Sequence, residues 1–369
     1  MKKKIAYIYT VLDKSYKEKY PGINKKVYAQ VKELNRSGLE TSLEVVEYEK
    51  KIIRMLPFQT SSVQWMKNKV WEKYDGLYLR YSTTDFQMIR WLKTIKRKSP
   101  NFKVVVEIPT YPYDEELKTR NKIIINREYK YRELLKVGVD RLVISGKLPE
   151  LFGIKTILTA NGVDLDEIRV RRPTTVNNDE INLCFVAAFA MWHGVDRVIE
   201  GLKNYYKNGG TRNINIHLVG DGQDSIMVPL KEAAQDKLVQ NHIKFYGFLN
   251  GEQLSEIYDK SQLAIASLGL HRLNIEAPST LKSREYLARG IPFIYSSVVA
   301  DFEEHPVDFA LQISTDDKPV DFNEVLNFYD ELMIRYKSVD ELTNIIRDYA
   351  DKYVSIKKTM APIVEFFNS

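Results

Sequence analysis

Short apolar runs alternate with amphipathic stretches along the whole chain, and that alternation sets the expected elements. Lys4-Ile-Ala-Tyr-Ile-Tyr-Thr is apolar on both faces, as in a strand buried within a parallel sheet. It leads into a loop over residues 13–26, holding Pro21-Gly22-Ile23-Asn24, then into a helix through Val27, Val31 and Leu34 that stops at Ser37-Gly38. Leu43-Glu-Val-Val-Glu-Tyr is the next strand, which completes a βαβ opening. Residues 50–74, with Trp65, Met66 and Trp71, mix bulky apolar and basic side chains. They read as a core helix with a solvated face, an interfacial helix being the alternative. Strands follow at Asp75-Gly-Leu-Tyr-Leu-Arg-Tyr, Lys103-Val-Val-Val-Glu and Arg141-Leu-Val-Ile-Ser, the first two separated by a helix through Met88, Trp91, Leu92 and Ile95.

Asn161-Gly-Val-Asp closes this half, and the polar run over residues 169–180 is the expected linker. The alternation then restarts. Strands are expected at Asn182-Leu-Cys-Phe-Val, Ile214-Asn-Ile-His-Leu-Val, Ile243-Lys-Phe-Tyr, Leu263-Ala-Ile-Ala and Phe293-Ile-Tyr, with helices between them. The tail from Asp340 to Phe367 is helical, with a break expected at Pro362. Two successive β/α alternations give an α/β protein of two doubly wound, Rossmann-like domains.

With 369 residues, two cores are the natural arrangement. The lone Cys184 sits in an apolar strand, which excludes an internal disulfide and fits a reducing compartment. No signal peptide or membrane-spanning run is visible, so a cytoplasmic protein is expected. Charge is uneven: residues 1–160 carry 33 Lys and Arg against 18 Asp and Glu, whereas residues 161–369 carry 22 against 31. A basic first half is compatible with peripheral contact to an anionic membrane at its inner face. Nucleic acid is not expected, because no recognition module accompanies the basic residues. Gly-x-Gly-x-x-Gly and Gly-x-x-x-x-Gly-Lys-Ser/Thr are both absent. The five histidines show no pair at metal-ligand spacing, and Asp164-Leu-Asp166 matches Asp-x-Asp only by chance, so no metal or cofactor is expected.

Residues 276–292, Glu-Ala-Pro-Ser-Thr-Leu-Lys-Ser-Arg-Glu-Tyr-Leu-Ala-Arg-Gly-Ile-Pro, carry the most explicit chemistry. Ser279 or Thr280 caps a short helix, Gly290 ends it in left-handed geometry, and Pro292 prevents continuation. Lys282 and Glu285 are three apart and share one face near the N-terminus. Free N–H groups, the positive end of the helix dipole and a lysine suit a phosphate, and the carboxylate suits a sugar hydroxyl. In the first half, Glu107 ends a valine-rich strand, where open α/β sheets place ligands. Thr110, Tyr111, Tyr113 and Asp114 crowd the next loop between Pro109 and Pro112, suiting an acceptor hydroxyl or a general base. Gly22 is expected to let backbone approach a ligand.

Four segments of the second half resemble family 4 glycosyltransferases of the GT-B fold: Asn161-Gly-Val-Asp; Phe185-Val-Ala with His193-Gly-Val-Asp-Arg-Val-Ile-Glu-Gly-Leu; Gly220-Asp-Gly with Phe245-Tyr-Gly-Phe-Leu; and Leu281-Lys-Ser-Arg-Glu-Tyr-Leu-Ala-Arg-Gly-Ile-Pro. The first half resembles the family more faintly, and the variant segments look most like transferases of bacterial capsular or exopolysaccharide assembly. The resemblance implies an acceptor-side domain over residues 1–160, a nucleotide-sugar domain over 161–351 facing it across a cleft, and a helix over about 352–369 crossing back to the first. It implies transfer of a hexosyl group from a UDP- or GDP-sugar, with retention, to a glycan or lipid-linked acceptor. Lys282 would meet the diphosphate, Glu285 the ribose, and backbone at Ser279, Thr280 and Leu281 the phosphates. Phe248 and Leu249 would frame the base. Gly269, His271, Arg272 and His193 would lie near the phosphates or the donor sugar. Glu107, Asp114 and Glu276 would be the active-site carboxylates, with Gly22 and Tyr111 on the acceptor side.

Two departures from the family pattern stand out. Eight residues separate Glu276 from Glu285 where the family has seven, so the strict position is Ala277. Ala187 and Ala188 occupy a segment where cations are usual. These departures would also suit a catalytically silent GT-B-like subunit binding a partner enzyme or glycan, and a nucleotide-sugar epimerase or hydrolase shares the fold.

Overall fold

The computed structural model describes residues 2–11, 21–47, 70–118, 120–174, 179–273 and 280–369. The chain divides into two compact units, one of residues 1–162 with 356–369 and the other of residues 163–355. In the first unit the strands are β1 (Lys4–Val11), β2 (Glu40–Glu47), β3 (Gly76–Arg80), β4 (Lys103–Glu107), β5 (Arg141–Ile144), β6 (Glu150–Leu151) and β7 (Ile154–Leu158). They form one sheet in the order β2-β1-β3-β4-β5-β7-β6, parallel except where β6 meets β7. β1 to β5 sit where apolar runs predict strands; β6 and β7 are not among the expected strands. Along β1 the side chains alternate between faces: Ile5, Tyr7 and Tyr9 join one buried cluster, Ala6 and Ile8 the other. Helices Pro21–Arg36 and Ile356–Asn368 contribute Val27, Leu34, Ile363 and Phe367 to the first cluster; helix Phe86–Lys98 contributes Met88, Leu92 and Ile95 to the second.

In the second unit β8 (Glu180–Val186), β9 (Asn213–Val219), β10 (Ile243–Phe245), β11 (Leu263–Ile265), β12 (Phe293–Tyr295) and β13 (Ala310–Gln312) form an all-parallel sheet ordered β10-β9-β8-β11-β12-β13. Buried apolar clusters cover both faces, as parallel sheets require. No helix among the described residues is long and apolar enough to cross a membrane.

Three local expectations need correction. Pro21 and Gly22 open a helix instead of lying in a loop. Proline fits a first helical position because its fixed φ is already helical and its missing N–H would have no partner there. Pro362 lies inside the helix Ile356–Asn368, on its exposed face, and the tail is interrupted earlier, at Ser355. Residues 169–174 do not behave as a linker. Arg171 is buried, its Nε donates to Thr343 Oγ1 at 3.1 Å, its NH1 donates to the Ser261 carbonyl at 2.8 Å, and its backbone N–H donates to the Arg289 carbonyl. A guanidinium held this way makes the segment part of the second unit's core. Most of residues 50–74 lie outside the described residues; Trp71 is buried edge-on against Trp91 and Phe102.

The final helix is a structural member of the first sheet's covering layer. Phe367 is fully buried, and a Cβ added at Gly76 would come within 3.0 Å of its ring. Phe367→Ala is expected to destabilise the chain by about 3–5 kcal/mol. The urea midpoint should fall with an unchanged m-value; a loss below about 1 kcal/mol would show that this helix does not hold the layer.

Candidate functional site

Strand order in the second sheet reverses between β8 and β11, and such a switch point opens a crevice outside the carboxyl ends of the strands where ligands bind. Two loops leave β8 and β11 there and carry the short turns Met191–His193 and Leu270–Leu273. They are tied together: Leu268 N–H donates to the His193 carbonyl at 2.9 Å and Gly269 N–H to the Trp192 carbonyl at 3.1 Å. Gly194, at φ +70, permits this approach, since a Cβ there would lie 2.9 Å from Leu268 Cβ.

Helix Leu281–Arg289 begins beside the same loops' cluster of side chains. Thr280 is its cap: Oγ1 accepts from Ser283 N–H at 3.4 Å and contacts Ser283 Oγ at 2.7 Å. Gly290 ends it at φ +74. Lys282 Nζ is sealed from solvent, lies 5.3 Å from the Phe185 ring centroid, and has no hydrogen-bond partner among the described residues. Burial holds its pKa well below the usual lysine range. His193 packs edge-on to Phe185 and Phe189, and its Nδ1 accepts the Ala190 N–H at 2.9 Å. Burial, and then the charge of Lys282, push the imidazole down to a pKa of about 2. It is a neutral ring with its proton on Nε2, not a cation.

Glu285 is half-buried, and its Oε1 is held by Arg289, with Nε at 3.0 Å and NH2 at 2.9 Å. Its second oxygen has no ion-pair partner among the described residues. Arg272 is fully engaged: its guanidinium meets Asp196 at 2.7 Å, Asp317 at 2.7 Å and the Met191 carbonyl at 2.6 Å. His271 Nε2 shares Asp317 at 3.0 Å. The cation expected beside the phosphates is therefore neutralised by two carboxylates, and His271 and Arg272 lock the two loops. Phe248 is exposed, while Leu249 packs partly into the core; both follow Gly247, whose carbonyl accepts Gly220 N–H at 2.7 Å. Glu276 and Ser279 lie outside the described residues. Asp164, of Asp-x-Asp, caps the turn Leu165–Glu167 by accepting from Asp166 N–H. Among the described residues no group of three or more His, Cys, Asp or Glu side chains clusters as a metal site.

In the first unit Glu107 is buried at the end of β4 and saturated. Oε1 accepts from Lys26 at 2.5 Å and Arg80 at 2.9 Å; Oε2 accepts from Tyr78 at 2.6 Å and Gln30 at 3.0 Å. Burial alone raises its pKa, but Lys26, Arg80 and the hydrogen bonds outweigh burial and hold it at about 2. A carboxylate so acidic, with both oxygens occupied, is a poor proton acceptor. Asp114 is only partly covered and pairs with Arg132 at 3.0 Å. Tyr111 packs against Tyr113 and Phe152, and Tyr113 OH donates to the buried Glu128 at 2.7 Å. Gly22 is exposed on the first helical turn. Lys26, Gln30, Tyr78 and Arg80 were not expected; the one sequence signal was a charge, Arg80, at the end of the apolar strand Gly-Leu-Tyr-Leu-Arg.

Residues 166–304 match the model of the family described as glycosyl transferases group 1. No curated protein sequence matches the chain. Among solved structures the chain is similar to a glycosyltransferase from Rickettsia africae ESF-5, with 13% identity, TM-score 0.62, and 100% of this chain and 98% of that one covered. It is similar to Anabaena HepE in complex with UDP at 13% identity and TM-score 0.61, with both chains covered completely. A sucrose-phosphate synthase from Thermosynechococcus elongatus aligns at 14% identity and TM-score 0.66, over 100% of this chain and 98% of that one. The chain thus has the GT-B fold, and the residues that match the glycosyl transferases group 1 model, 166–304, hold the switch-point loops and Lys282.

Proposed function

We propose that this protein is a glycosyltransferase that moves a sugar from a nucleotide-diphosphate donor, a UDP- or GDP-sugar, to a hydroxyl of a glycan or lipid-linked glycan. The ammonium of Lys282, sealed and without a partner among the described residues, carries this reading. Burying a charge without a partner costs several kcal/mol, and an anion at the start of helix Leu281–Arg289 would remove that cost. A donor diphosphate supplies such an anion, and the charge that grows on it as the sugar leaves is stabilised by Lys282 and by the N–H groups of the first helical turn. Positive charge from these groups is sufficient for a metal-independent reaction. The free oxygen of Glu285 accepts from the ribose, with Arg289 orienting the carboxylate. Exposed Phe248 frames the base. Arg272 fixes the loops. Solved complexes of Anabaena HepE with UDP and with UDP-glucose support a uridine donor.

The acceptor belongs to the first unit, where Asp114 is the accessible carboxylate and Glu107 positions its neighbours. Retention, a hexosyl group, and a role in bacterial surface polysaccharide assembly, with peripheral contact to an anionic membrane at the inner face, complete the reading.

Donor screening tests it directly. UDP- or GDP-sugars should bind the purified chain, and Lys282→Ala should weaken the binding roughly tenfold or more, as loss of a charge-assisted contact does. Glu285→Ala should weaken it less, and a chelator should leave acceptor-dependent nucleotide release unchanged. Binding by no donor, with the chain folded, would favour a catalytically silent subunit instead.

The same lysine makes a stability prediction. Lys282→Met keeps the stem and removes the buried charge, so in the absence of donor it should stabilise the chain by about 1–2 kcal/mol at pH 7. The folded pKa is depressed, so between it and the unfolded value of about 10.4 the unfolded state binds more protons, and wild-type stability rises with pH. The advantage of the methionine variant should therefore shrink in urea melts as pH approaches 10. A constant difference across that range would show that burial does not depress the Lys282 pKa.

A further inference from the structure

The first unit's sheet has its own reversal of strand order, between β1 and β3, and Arg80 ends β3 there. Two cations, Lys26 and Arg80, share a single carboxylate, Glu107, at the carboxyl ends of these strands. The remaining polar members of the cluster, Gln30 and Tyr78, are neutral. Among the described residues Glu107 is the only carboxylate either cation pairs with. Side-chain exposure is 8% for Lys26 and 12% for Arg80, so the surplus positive charge is screened little by water. Arg80 spends one terminal nitrogen on Glu107, and its second has no partner among the described residues.

A buried cluster with one more cation than anion is stable when a further anion joins it. We propose that the acceptor bears an anionic group, a phosphate or a carboxylate, that binds Arg80 and Lys26 at this switch point. The inference rests on the glycosyltransferase reading and gives it an acceptor class: an acidic acceptor, either a lipid-linked phosphate or an acidic sugar. The low pKa of Glu107 and the depressed pKa of Lys26, for which burial is the first cause and Arg80 a further one, are consistent with a site held on the positive side. Arginine suits the task, because its planar fork meets phosphate or carboxylate with two parallel hydrogen bonds.

Binding of small probes to the full-length chain tests this without an identified acceptor. Inorganic phosphate, glucuronate and decyl phosphate are titrated calorimetrically against the Lys282→Ala background, which removes the donor-side cation, with octyl glucoside as the neutral control. At least one anionic probe should bind more tightly than the neutral one. Arg80→Gln should weaken it about tenfold or more, as loss of a charge-assisted contact does. Arg80→Lys should retain part of the affinity, and Glu107→Gln, which raises the cluster's surplus, should tighten it. Stronger binding of decyl phosphate than of phosphate or glucuronate identifies a lipid-borne acceptor; the reverse identifies an acidic sugar. Equal affinity for anionic and neutral probes, or anion binding untouched in a folded Arg80→Gln variant, overturns the proposal. The two readings fail separately: anion binding without any UDP- or GDP-sugar binding by the wild-type chain overturns the donor reading alone, and donor binding without anion binding overturns this inference alone.

Discussion

An ammonium sealed from water, with no counter-ion among the described residues, is the constraint on which the second unit depends. Lys282 is kept in that state by the elements around it: a helix whose start is fixed by Thr280 and whose end is fixed by Gly290, and an aromatic ring, Phe185, delivered by a central strand. The second unit's sheet is all-parallel. Its strands are buried on both faces, so the positions of the loops at their carboxyl ends are inherited from a rigid layer. Binding free energy is then not spent on ordering the site when an anion arrives.

The charged residues near the two loops divide into those that hold and those that wait. Arg272 and His271 are held by Asp196 and Asp317, Glu285 is partly held by Arg289, and His193 is neutral with one nitrogen used by the backbone. Of these, only Lys282 has no partner among the described residues. A diphosphate drawn to this site would meet one concentrated positive charge at a helix N-terminus instead of a diffuse basic surface, in a unit whose net charge is acidic. That acidity also explains why composition points away from the site: the charge that matters is one buried residue, outnumbered on the surface.

Legibility from sequence follows the range of the interactions. Strands such as Lys4–Val11 and Lys103–Glu107, the cap at Thr280, the left-handed stop at Gly290 and the three-residue spacing of Lys282 and Glu285 are local, and local patterns express them. The pairing of Lys26 with Glu107 spans 81 residues, and that of Arg272 with Asp196 spans 76. No periodicity reports such contacts, so Glu107 read as an available carboxylate when it is a saturated one. Arg171 failed in the same way. In a polar run it resembles a linker residue, yet its buried guanidinium donates to two elements far along the chain. The Pro21-Gly22 pair misled for a different reason, since the residues that break a helix interior are tolerated at its first turn.

The two units treat buried charge in opposite ways, and the contrast bears on what each binds. Among the described residues, Lys282 in the second unit stands without an anion; in the first, Lys26 and Arg80 bracket one anion, Glu107, whose other oxygen accepts from Gln30 and Tyr78. A lone sealed ammonium is costly and is relieved only by a ligand of full negative charge, which suits a substrate that must be seized and whose leaving group must be stabilised. A cation pair already bridged by a carboxylate has its surplus partly offset, so a further anion would gain less than at a lone cation and would leave more easily. Weak retention suits an acceptor that must depart after each transfer. On the proposed donor and acceptor sites, the difference in counter-ion supply would set a hierarchy of grip: strong where bond cleavage develops charge, and moderate where the chain only needs to orient a hydroxyl.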